Sequence, residues 1–345
     1  MSSSPSTPNF SPDLFFTTVN AYYQTAAVKA AIQLDLLNAI SEQGSTLAEI
    51  AAACSATRRG TRILCRYLAS IGFLKTAGDL FFLTKEMGLY LRKDSPRYLG
   101  RSIDFLLSRE IMDAFTDLAG VVRTGRVALN AETEASSRHP RWAEFARAMA
   151  PIMALPAFLT AEVADPLATQ PLKVLDVAAG HGLFGIAIAR RNPAATVTLI
   201  DWSDVLEAAR EKAEKAGIIE SIAFLAGDAF SVDFGAELDV IIIANFLHHF
   251  DSGACEQILA KAHAALRDGG RALIVEFIMN EDRMSPPLAA EFSMMMLATT
   301  AGGEAWAYSD LEHMLSSSGF DRIELRAIPP AREGVVVATK NIARR

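Results

Sequence analysis

The chain has 345 residues, and 51% of them are hydrophobic, which is enough to bury a large core and suggests about two domains. Its formal net charge of −7 and its pI near 5.5 argue against a general nucleic-acid-binding protein. The three cysteines do not cluster as metal ligands do, and an odd number of them is typical of a protein in a reducing compartment. We therefore expect a cytoplasmic protein.

The N-terminal tail, residues 1–12, is rich in Ser and Pro and has neither a basic start nor an apolar core. Such a composition predicts a disordered tail and not a targeting peptide. No apolar run approaches the roughly 20 residues that are needed to cross a bilayer. We therefore expect no association with a membrane.

Residues 13–105 are predicted to form a winged-helix dimerisation domain. Broad apolar periodicity indicates a helix over 13–41, and a capping-box pattern at 46–50 begins a second, short helix. A further helix follows over 59–71, and two β-like runs flank a Gly-Asp turn within 72–83. Helix, turn, helix and hairpin in this order are typical of a winged helix.

A winged helix can also bind DNA, and its second helix carries four arginines, Arg58, Arg59, Arg62 and Arg66. Residues 1–110 hold 12 Lys and Arg against 9 Asp and Glu, a balance of +3, whereas residues 111–345 hold 21 against 31, a balance of −10. So small an excess is more typical of a solvated face than of a phosphate-binding one. We favour a subunit interface and no nucleic-acid partner, and a DNA-binding regulator that senses a nucleoside ligand is the alternative.

Residues 106–165 are predicted to be a helical linker that also forms part of a substrate pocket. The pattern indicates helices near 98–107, 111–122 and 142–158, with breaks at Gly120, Gly125, Pro140, Pro151 and Pro156. Aromatic and methionine side chains in this region could roof a ligand pocket, although any single one is more typical of core packing. Those assigned to the pocket are Phe145, Met149 and Met153.

Residues 173–202 have the pattern of a strand, a glycine-containing turn, a helix and a second strand. Gly180 and Gly182 let the chain turn sharply and let a ligand approach the backbone closely. Asp201 ends the second strand, where an acid can hold ribose hydroxyls. The stretch therefore predicts a nucleoside-binding site. Because Gly180, Gly182 and Gly185 also match the dinucleotide fingerprint, NAD is an alternative ligand.

The charge around this turn favours a cationic nucleoside. Asp176 lies in the strand that enters the turn, Asp201 ends the next strand, and Asp228 follows the third. A carboxylate just before the turn would repel a pyrophosphate, whereas it would attract an ammonium or a sulfonium group. S-adenosylmethionine carries both cations, and we predict it as the cofactor. The alternative for Asp176 is that its carboxylate only caps backbone N–H groups.

Residues 166–345 are predicted to form the cofactor-binding domain, because strands and helices continue to alternate there, as in a parallel sheet with right-handed crossovers. The predicted elements are helices over 205–216, 255–266, 288–299 and 308–317, strands over 222–226, 239–244, 271–277, 322–328 and 334–339, and a stop at Gly269-Gly270. Only a short loop divides the last two runs, so they should be antiparallel neighbours. The pattern predicts an α/β, Rossmann-like, seven-stranded sheet with one reversed strand, the methyltransferase arrangement.

Four sequence features carry a resemblance to a known family: Asp176-x-Ala178-Ala179-Gly180-x-Gly182, Asp201, Gly227-Asp228 and the segment NFLHHFD at 245–251, all behind the predicted winged helix. Together they resemble class I S-adenosylmethionine-dependent O-methyltransferases of the caffeic acid and hydroxyindole O-methyltransferase type, which include bacterial enzymes of secondary metabolism. The likeness covers residues 13–340. It implies a homodimer formed through the N-terminal domain and a small aromatic or phenolic substrate.

The resemblance also implies how the cofactor lies. Gly180 and Gly182 would contact the methionine portion, Asp201 would hold the ribose, and Asp228 would flank the adenine together with its two successors. The complete set of predicted cofactor contacts is Asp176, Ala178, Gly180, Gly182, Asp201, Trp202, Asp228, Ala229, Phe230 and Asn245.

In that family the catalytic base is the histidine of a Leu-His-Asp-Trp-type segment, which falls on His248 here. A neutral imidazole with a pKa of about 6.5 can accept a phenolic proton as the methyl group moves. The resemblance assigns Glu276 as the first supporting acid and Glu304 as the second, although Glu304 lies one place early. Two departures from the family are His249, where aspartate is common, and Ala178-Ala179, where glycines are common.

The apolar helix over 288–299 would line the acceptor cavity in the family fold. The predicted pocket residues are Phe145, Met149, Met153, His249, Phe292, Met295, Met296 and Trp306. No carboxylate or histidine cluster indicates a metal ion, and we expect none. We therefore predict a methyltransferase that acts on a hydroxyl of an aromatic secondary metabolite. Transfer to nitrogen or carbon, or another use of the same cofactor, is the alternative within this fold.

Overall fold

The computed structural model describes residues 11–125, 141–165 and 167–342. The chain divides into two compact units, residues 1–103 and residues 104–345, which we describe separately. Most of the predicted tail at 1–12 and the predicted break at Pro140 lie outside the described residues.

The first unit consists of short helices and a small antiparallel sheet in the order β1-β3-β2. Its helices are α1 (Asp13–Val19), α2 (Ala21–Gln33), α3 (Leu47–Ala53), α4 (Arg58–Ser70) and α5 (Lys85–Leu91), and its strands are β1 (Ser45–Thr46), β2 (Leu74–Ala77) and β3 (Leu80–Leu83). Helix α6 (Ser102–Leu106) lies at the junction with the second unit.

Local signals in the sequence explain this arrangement. Thr46 and Glu49 form the predicted capping box at the start of α3, and the Thr57 side chain caps α4 by accepting the Gly60 N–H. The predicted helix, turn, helix and hairpin are all present. The predicted first helix is wrong in its length, because the chain breaks at Asn20 and the helix ends at Gln33, before the core residues Leu36, Leu37 and Ile40.

The second unit is an α/β domain. Its helices are α7 (Arg109–Ala114), α8 (Leu118–Thr124), α9 (Arg141–Ala164), α10 (Leu183–Arg191), α11 (Ser203–Lys215), α12 (Ser252–Ala265), α13 (Pro287–Thr299) and α14 (Tyr308–Ser317). Its strands are β4 (Lys173–Val177), β5 (Thr196–Asp201), β6 (Ile222–Ala226), β7 (Leu238–Ala244), β8 (Leu266–Glu276), β9 (Arg322–Ala327) and β10 (Gly334–Thr339). Short 3₁₀ turns occur at Ile219–Ser221 and Leu247–His249.

The predicted seven-stranded sheet is confirmed. Its order is β6-β5-β4-β7-β8-β10-β9, and the five strands from β6 to β8 are mutually parallel. Strand β10 is antiparallel to both of its neighbours, β8 and β9, as the short loop between the last two runs predicted. The side chains of β4, β7 and β8 are buried on both faces, so two apolar clusters form the core, one on each side of the sheet.

Several predicted breaks are wrong. Helix α9 runs without interruption through Pro151 and Pro156, and α8 contains Gly120. Each proline removes one backbone hydrogen bond, but residues of α9 such as Met153, Ala157 and Ala161 lie in the core, and this burial holds the helix together. The predicted break at Gly125 is confirmed, because this residue ends α8 in a left-handed conformation.

The glycine pair Gly269-Gly270 does not end a helix. Helix α12 ends earlier, at Ala265, and β8 begins at once with Leu266 and continues through both glycines. Gly269 has a φ of 72°, and the pairing of β7 with β8 changes register there. The glycines therefore permit an irregularity within the strand, which periodicity cannot distinguish from a turn.

One stretch, Trp142–Ala164 in α9, is long and apolar enough to cross a membrane by length and composition. The expectation that no run approaches this length is therefore wrong. The helix packs against α10 and α11, and its residues Ala157, Ala161 and Ala164 are buried in the core of the second unit. Its apolar composition is accounted for by this packing.

We expect Gly182→Ala to destabilise the fold by about 2–4 kcal/mol, because the new Cβ meets both a steric and a conformational penalty. Gly182 has a φ of 71°, and a Cβ there would lie 2.7 Å from the Ala209 Cβ. Gly217→Ala is the matched control, since its φ is 70° but no atom lies within 4 Å of the added Cβ. Chemical denaturation should show a clearly larger loss for Gly182→Ala; equal losses would contradict the packing argument.

Candidate active site

The carboxyl ends of the parallel strands meet at one edge of the sheet. Val177 pairs with Ile200 and with Ile243, and Ala244 pairs with Val275, so the segments that leave β4, β5, β7 and β8 are neighbours. In open α/β sheets ligands bind outside this edge. Most of the predicted site residues lie on these segments.

The turn after β4 has an unusual backbone. Ala178, Gly180 and Gly182 have φ values of 52°, 56° and 71°, which an L-amino acid other than glycine rarely adopts. A Cβ added to Gly180 would have only the Ala178 carbonyl oxygen within reach, at 4.0 Å, so this α-carbon borders open space. Gly182 instead packs closely against α11. The two glycines therefore differ: among the described residues the Cβ position of Gly180 borders open space, whereas that of Gly182 is blocked by Ala209, and a ligand contact of Gly182 stays a prediction.

Two carboxylates, Asp176, which is buried, and Asp201, which is half-buried, hold this turn in place. Asp201 accepts the Gly180 N–H at 2.8 Å with one oxygen and the Trp202 N–H at 2.7 Å with the other. Burial raises the pKa of Asp201 to about 6. Asp176, which is 1% exposed, accepts the Gly185 N–H at 2.8 Å, and burial, with a smaller contribution from Asp201, raises its pKa to about 7. The alternative role of Asp176, capping a backbone N–H group, is thus present in the structure. A contact between Asp176 and a ligand stays a prediction.

The segment after β6 begins with Asp228, which is half-buried and accepts the Phe230 N–H at 3.0 Å. Ala229 is buried behind it. The ring of Phe230 lies 5.0 Å from that of Phe250 and 6.3 Å from that of Phe246, measured between centroids. An acid and an apolar surface therefore lie side by side, and their contact with an adenine stays a prediction.

Asn245 follows β7 with a φ of 51°, and its N–H donates to the Val275 carbonyl. Its side-chain nitrogen lies 3.3 Å from the Met153 sulfur, a weak acceptor. Within the described part of the chain, its buried Oδ1 has no hydrogen-bond partner. A buried polar atom without a partner is costly, and a ligand that donates a hydrogen bond would satisfy it.

His248 and Glu276 form a buried pair. The His248 Nδ1 lies 2.6 Å from one carboxylate oxygen of Glu276, and both side chains are at most 5% exposed. The other oxygen of Glu276 accepts the backbone N–H groups of Phe246, Leu247 and His248 at 3.1, 2.9 and 3.4 Å. With Nδ1–H donating to the carboxylate, Nε2 is the nitrogen of His248 that can accept a proton.

Other residues hold the His248 turn from its opposite side. The Leu247 carbonyl accepts the Trp306 Nε1–H at 3.4 Å and lies 3.2 Å from the Cys255 sulfur. A Cβ at Gly303 would lie 2.1 Å from the His248 carbonyl oxygen, so only glycine fits there. Trp306 is buried in the core beneath the turn. Sequence analysis missed these supporting roles of Cys255 and Gly303, because no local pattern indicates contacts between distant segments.

A row of aromatic rings continues from His248. The ring of His248 lies 4.6 Å from Phe292 and 4.4 Å from His249, and the ring of His249 lies 5.7 Å from Trp142. Burial, together with the neighbouring His248, holds the pKa of His249 well below its usual value. His249 is therefore a neutral imidazole at pH 7.

The remaining predicted site residues differ in how deeply they are buried. Phe145 lies beside Trp142, with ring centroids 5.7 Å apart, and Met149 and Met295 are half-buried. Met296 is buried, as is Met153. Trp202 is half-buried and packs against Ala146, Val205 and Ala208 between α9 and α11.

Glu304 is exposed, and the charged groups that act on it are Asp310 and Arg283. Neither of these is His248 or Glu276, so the role of Glu304 as a second support for His248 stays a prediction. The side chains of Glu276, Trp306 and Cys255 support the His248 turn by hydrogen bonds.

Comparison with known families agrees with this architecture. Residues 115–321 match the family model described as the O-methyltransferase domain, and residues 16–93 match that of the O-methyltransferase dimerisation domain. The first match alone spans more than half of the chain. The fold and the site define a class I type of methyltransferase domain.

The chain belongs to the O-methyltransferase family and is a methyltransferase, as its sequence predicted. Acetylserotonin O-methyltransferase of Rattus norvegicus is 28% identical over 306 residues, covering 86% of this chain and 70% of that protein. Phenazine O-methyltransferase PhzM of Lysobacter antibioticus is 26% identical and covers 92% of this chain and 93% of its own length. A crystal structure of a protein from Nostoc punctiforme PCC 73102 superposes with a TM-score of 0.92 at 43% identity, covering 96% of this chain and all of that one.

We expect Asp176→Asn to be more stable than the native chain at pH 8, by about 2–4 kcal/mol, in the absence of ligand. The pKa of Asp176 is about 7 in the folded state and near 3.8 when unfolded, so the folded state binds the proton more tightly. Native stability therefore falls as the pH rises from about 4 to about 7, whereas that of the variant does not.

Urea denaturation between pH 4 and pH 8 measures this difference. The advantage of the variant should be absent near pH 4, should grow up to about pH 7 and should then level off. Asp204→Asn, an exposed acid on the first turn of α11, is the control and should show no such gain. A constant difference between Asp176→Asn and the native chain at every pH would contradict the assigned burial of the charge.

Proposed function

We propose that this chain transfers a methyl group from S-adenosylmethionine to a hydroxyl of a small aromatic secondary metabolite, with His248 as general base. The observation that carries this proposal is the buried His248–Glu276 pair at the carboxyl edge of the sheet, beside the acidic turn of Asp176 and Asp201. Membership in the O-methyltransferase family supports the reaction type.

The cofactor is S-adenosylmethionine, and the residues at the edge of the sheet fit it. Gly180 offers an α-carbon next to open space, and Asn245 offers a buried oxygen that lacks a partner within the described residues. Asp176 and Asp201 have raised pKa values, so a nearby positive charge would stabilise their ionised forms. A pyrophosphate would do the opposite, which argues against NAD.

Each group at this edge has a distinct part in holding the cofactor. Gly180 and Asn245 would face the methionine portion, Asp201 the ribose, and Asp228 with Phe230 the adenine. Asp176 would contribute negative charge beside the glycine turn, where it accepts the Gly185 N–H. Trp202 immediately precedes α11. When bound, the cofactor would supply a methyl group on a sulfonium, and S-adenosylhomocysteine would leave as that methyl group passes to the acceptor oxygen.

His248 makes the acceptor oxygen a better nucleophile. Glu276 fixes the imidazole with Nδ1–H toward the carboxylate, which leaves Nε2 to accept the hydroxyl proton. The carboxylate then stabilises the imidazolium that forms. The rest of the acceleration comes from alignment of the two reactants, since such a displacement requires little other chemistry from the protein.

The rings around His248 favour a flat acceptor. Phe292 and Trp142 flank the two histidines, and Met149 and Met295 add apolar, adaptable surface. Acetylserotonin and phenazine, the compounds in the names of two relatives, are both flat aromatic ring systems. A hydroxylated aromatic compound therefore suits this site best.

The N-terminal unit is proposed to join two copies of the chain. Residues 16–93 match a dimerisation domain. Helices α1 and α2 bury almost none of their large side chains within the chain, and the exposed apolar residues are Leu14, Phe15, Phe16, Val19, Tyr22 and Tyr23. An apolar surface of this kind marks a contact with another protein. A second copy of this chain is the partner that the family assignment indicates.

We also propose that the enzyme acts in the cytoplasm. The three cysteines, Cys54, Cys65 and Cys255, are all free thiols. Burial raises the pKa of Cys65 to about 11 and that of Cys255 to about 12, so both are unreactive. Free thiols in these numbers are typical of a reducing compartment.

The function is tested by calorimetry with S-adenosylmethionine, S-adenosylhomocysteine and NAD, followed by a screen of phenolic acceptors with detection of product mass. We expect binding of the first two ligands and a product that is heavier by one methylene group. Binding of NAD alone would overturn the proposal. Methylation only of amines or carbon acids would keep the cofactor assignment and exclude the oxygen acceptor.

We expect His248→Ala to lower kcat by about 100-fold or more, because the general base is lost while the cofactor site is untouched. Glu276→Gln should lower kcat by about tenfold or more, since the amide cannot stabilise an imidazolium as a carboxylate does. Affinity for S-adenosylhomocysteine, measured by calorimetry, should change little in His248→Ala. His313→Ala, at an exposed histidine, is the control. A kcat close to the native value in His248→Ala would remove the base from the proposal.

We expect the double variant Phe16→Glu, Tyr22→Glu to shift the chain from dimer to monomer in sedimentation experiments. Both side chains are more than half exposed in the single chain, so the charges cost little in the monomer but would be buried unpaired in a dimer. Glu86→Lys, a charge change at a partly exposed site on α5, is the control. A native chain that sediments as a monomer would contradict the dimer.

A further inference from the structure

The segment that follows β6, residues 228–234, makes a compact turn that we call the Asp228 loop. The N–H groups of Ser231 and Val232 both donate to the Asp228 carbonyl, at 3.0 and 2.8 Å. Gly227 lies so close to Val232 that a Cβ there would approach its side chain to 3.1 Å. The loop ends with Phe234, which is buried in the core.

A single side chain from another element joins the two ends of this loop. Lys261 lies on α12, and its Nζ donates to the Ala229 carbonyl at 2.8 Å. The same Nζ lies 4.2 Å from the centre of the Phe234 ring, which is the geometry of a cation–π contact. Lys261 therefore contacts both the second residue of the loop and its last one.

Two acids lie close enough to attract the ammonium group of this lysine. Burial lowers the pKa of Lys261 from its usual value, and attraction to Asp228 and Asp233 opposes that shift. A hydrogen bond from a charged donor is stronger than one between neutral groups. The contact therefore fixes the Ala229 carbonyl, and with it the backbone between Asp228 and Phe230.

We propose that Lys261 is a positioning residue for the adenosyl half of the cofactor. This inference rests on the proposed function, in which Asp228 and Phe230 flank the adenine. Lys261 does not touch the ligand in this arrangement. It holds the loop in the binding conformation before the ligand arrives, so that little ordering has to occur on binding.

This role has a specific kinetic signature. The adenine lies away from the reacting sulfonium, so a preformed adenine site binds the ground state and the transition state equally well. Loss of Lys261 should therefore raise the KM for S-adenosylmethionine and leave kcat nearly unchanged. Loss of His248, in contrast, should lower kcat.

The test compares Lys261→Met, which keeps the apolar stem over Phe234 but removes the donor, with Lys261→Arg, which keeps a cationic donor. Lys215→Met, at an exposed lysine near the end of α11, is the matched control. Calorimetry measures the Kd of S-adenosylhomocysteine and of adenosine for each variant. Steady-state kinetics measure KM for the cofactor and kcat, and thermal melting without ligand reports folding.

We expect Lys261→Met to weaken both ligands about tenfold, to raise the cofactor KM by a similar factor and to keep kcat within about twofold. Lys261→Arg should bind within about threefold of the native chain. Native affinity in Lys261→Met, an equal loss in the arginine variant, or a fall in kcat without a change in KM would each overturn the proposal. If the native chain binds neither ligand, it is the proposed function that fails.

Discussion

The carboxylate of Glu276 is the group on which the candidate active site depends. It is 1% exposed and receives four hydrogen-bond donors, three backbone N–H groups and the imidazole of His248. A buried carboxylate costs free energy unless it is paired and hydrogen-bonded. The charge of Glu276 therefore depends on these four donors, and the donors are held in place by the carboxylate. Because Glu276 ends β8 and the turn follows β7, the pairing of Ala244 with Val275 sets the position of the base.

The carboxylates of Asp176 and Asp201 behave in the opposite way. Asp176 is buried and Asp201 is half-buried beside the glycine turn, and desolvation there raises the pKa of both groups because it disfavours their charged forms. Backbone N–H groups compensate only in part. A cation bound nearby would stabilise the ionised forms of both carboxyl groups. Their burial lowers the folding stability of the chain, as is common at functional sites.

Glu276 and the two aspartates therefore have different parts in the proposed site. Glu276 has all its hydrogen-bond donors from the protein and fixes the imidazole of His248. All three acids lie at the carboxyl edge of one parallel sheet, so strand register brings the proposed cofactor site close to the proposed base. His249 adds a neutral imidazole beside His248.

The sequence by itself determined the strand and helix order, the reversed strand at the end of the sheet and the residues gathered at its edge. Periodicity and glycine positions are local properties of the sequence. The loop between β9 and β10 is too short for a crossover, so these two strands can pair only in the antiparallel direction. Tertiary structure alone decided that α9 continues through Pro151 and Pro156, and that Trp306 and Gly303 support the turn of His248. These outcomes depend on packing between segments distant in the chain, and no local pattern records which distant atoms will meet.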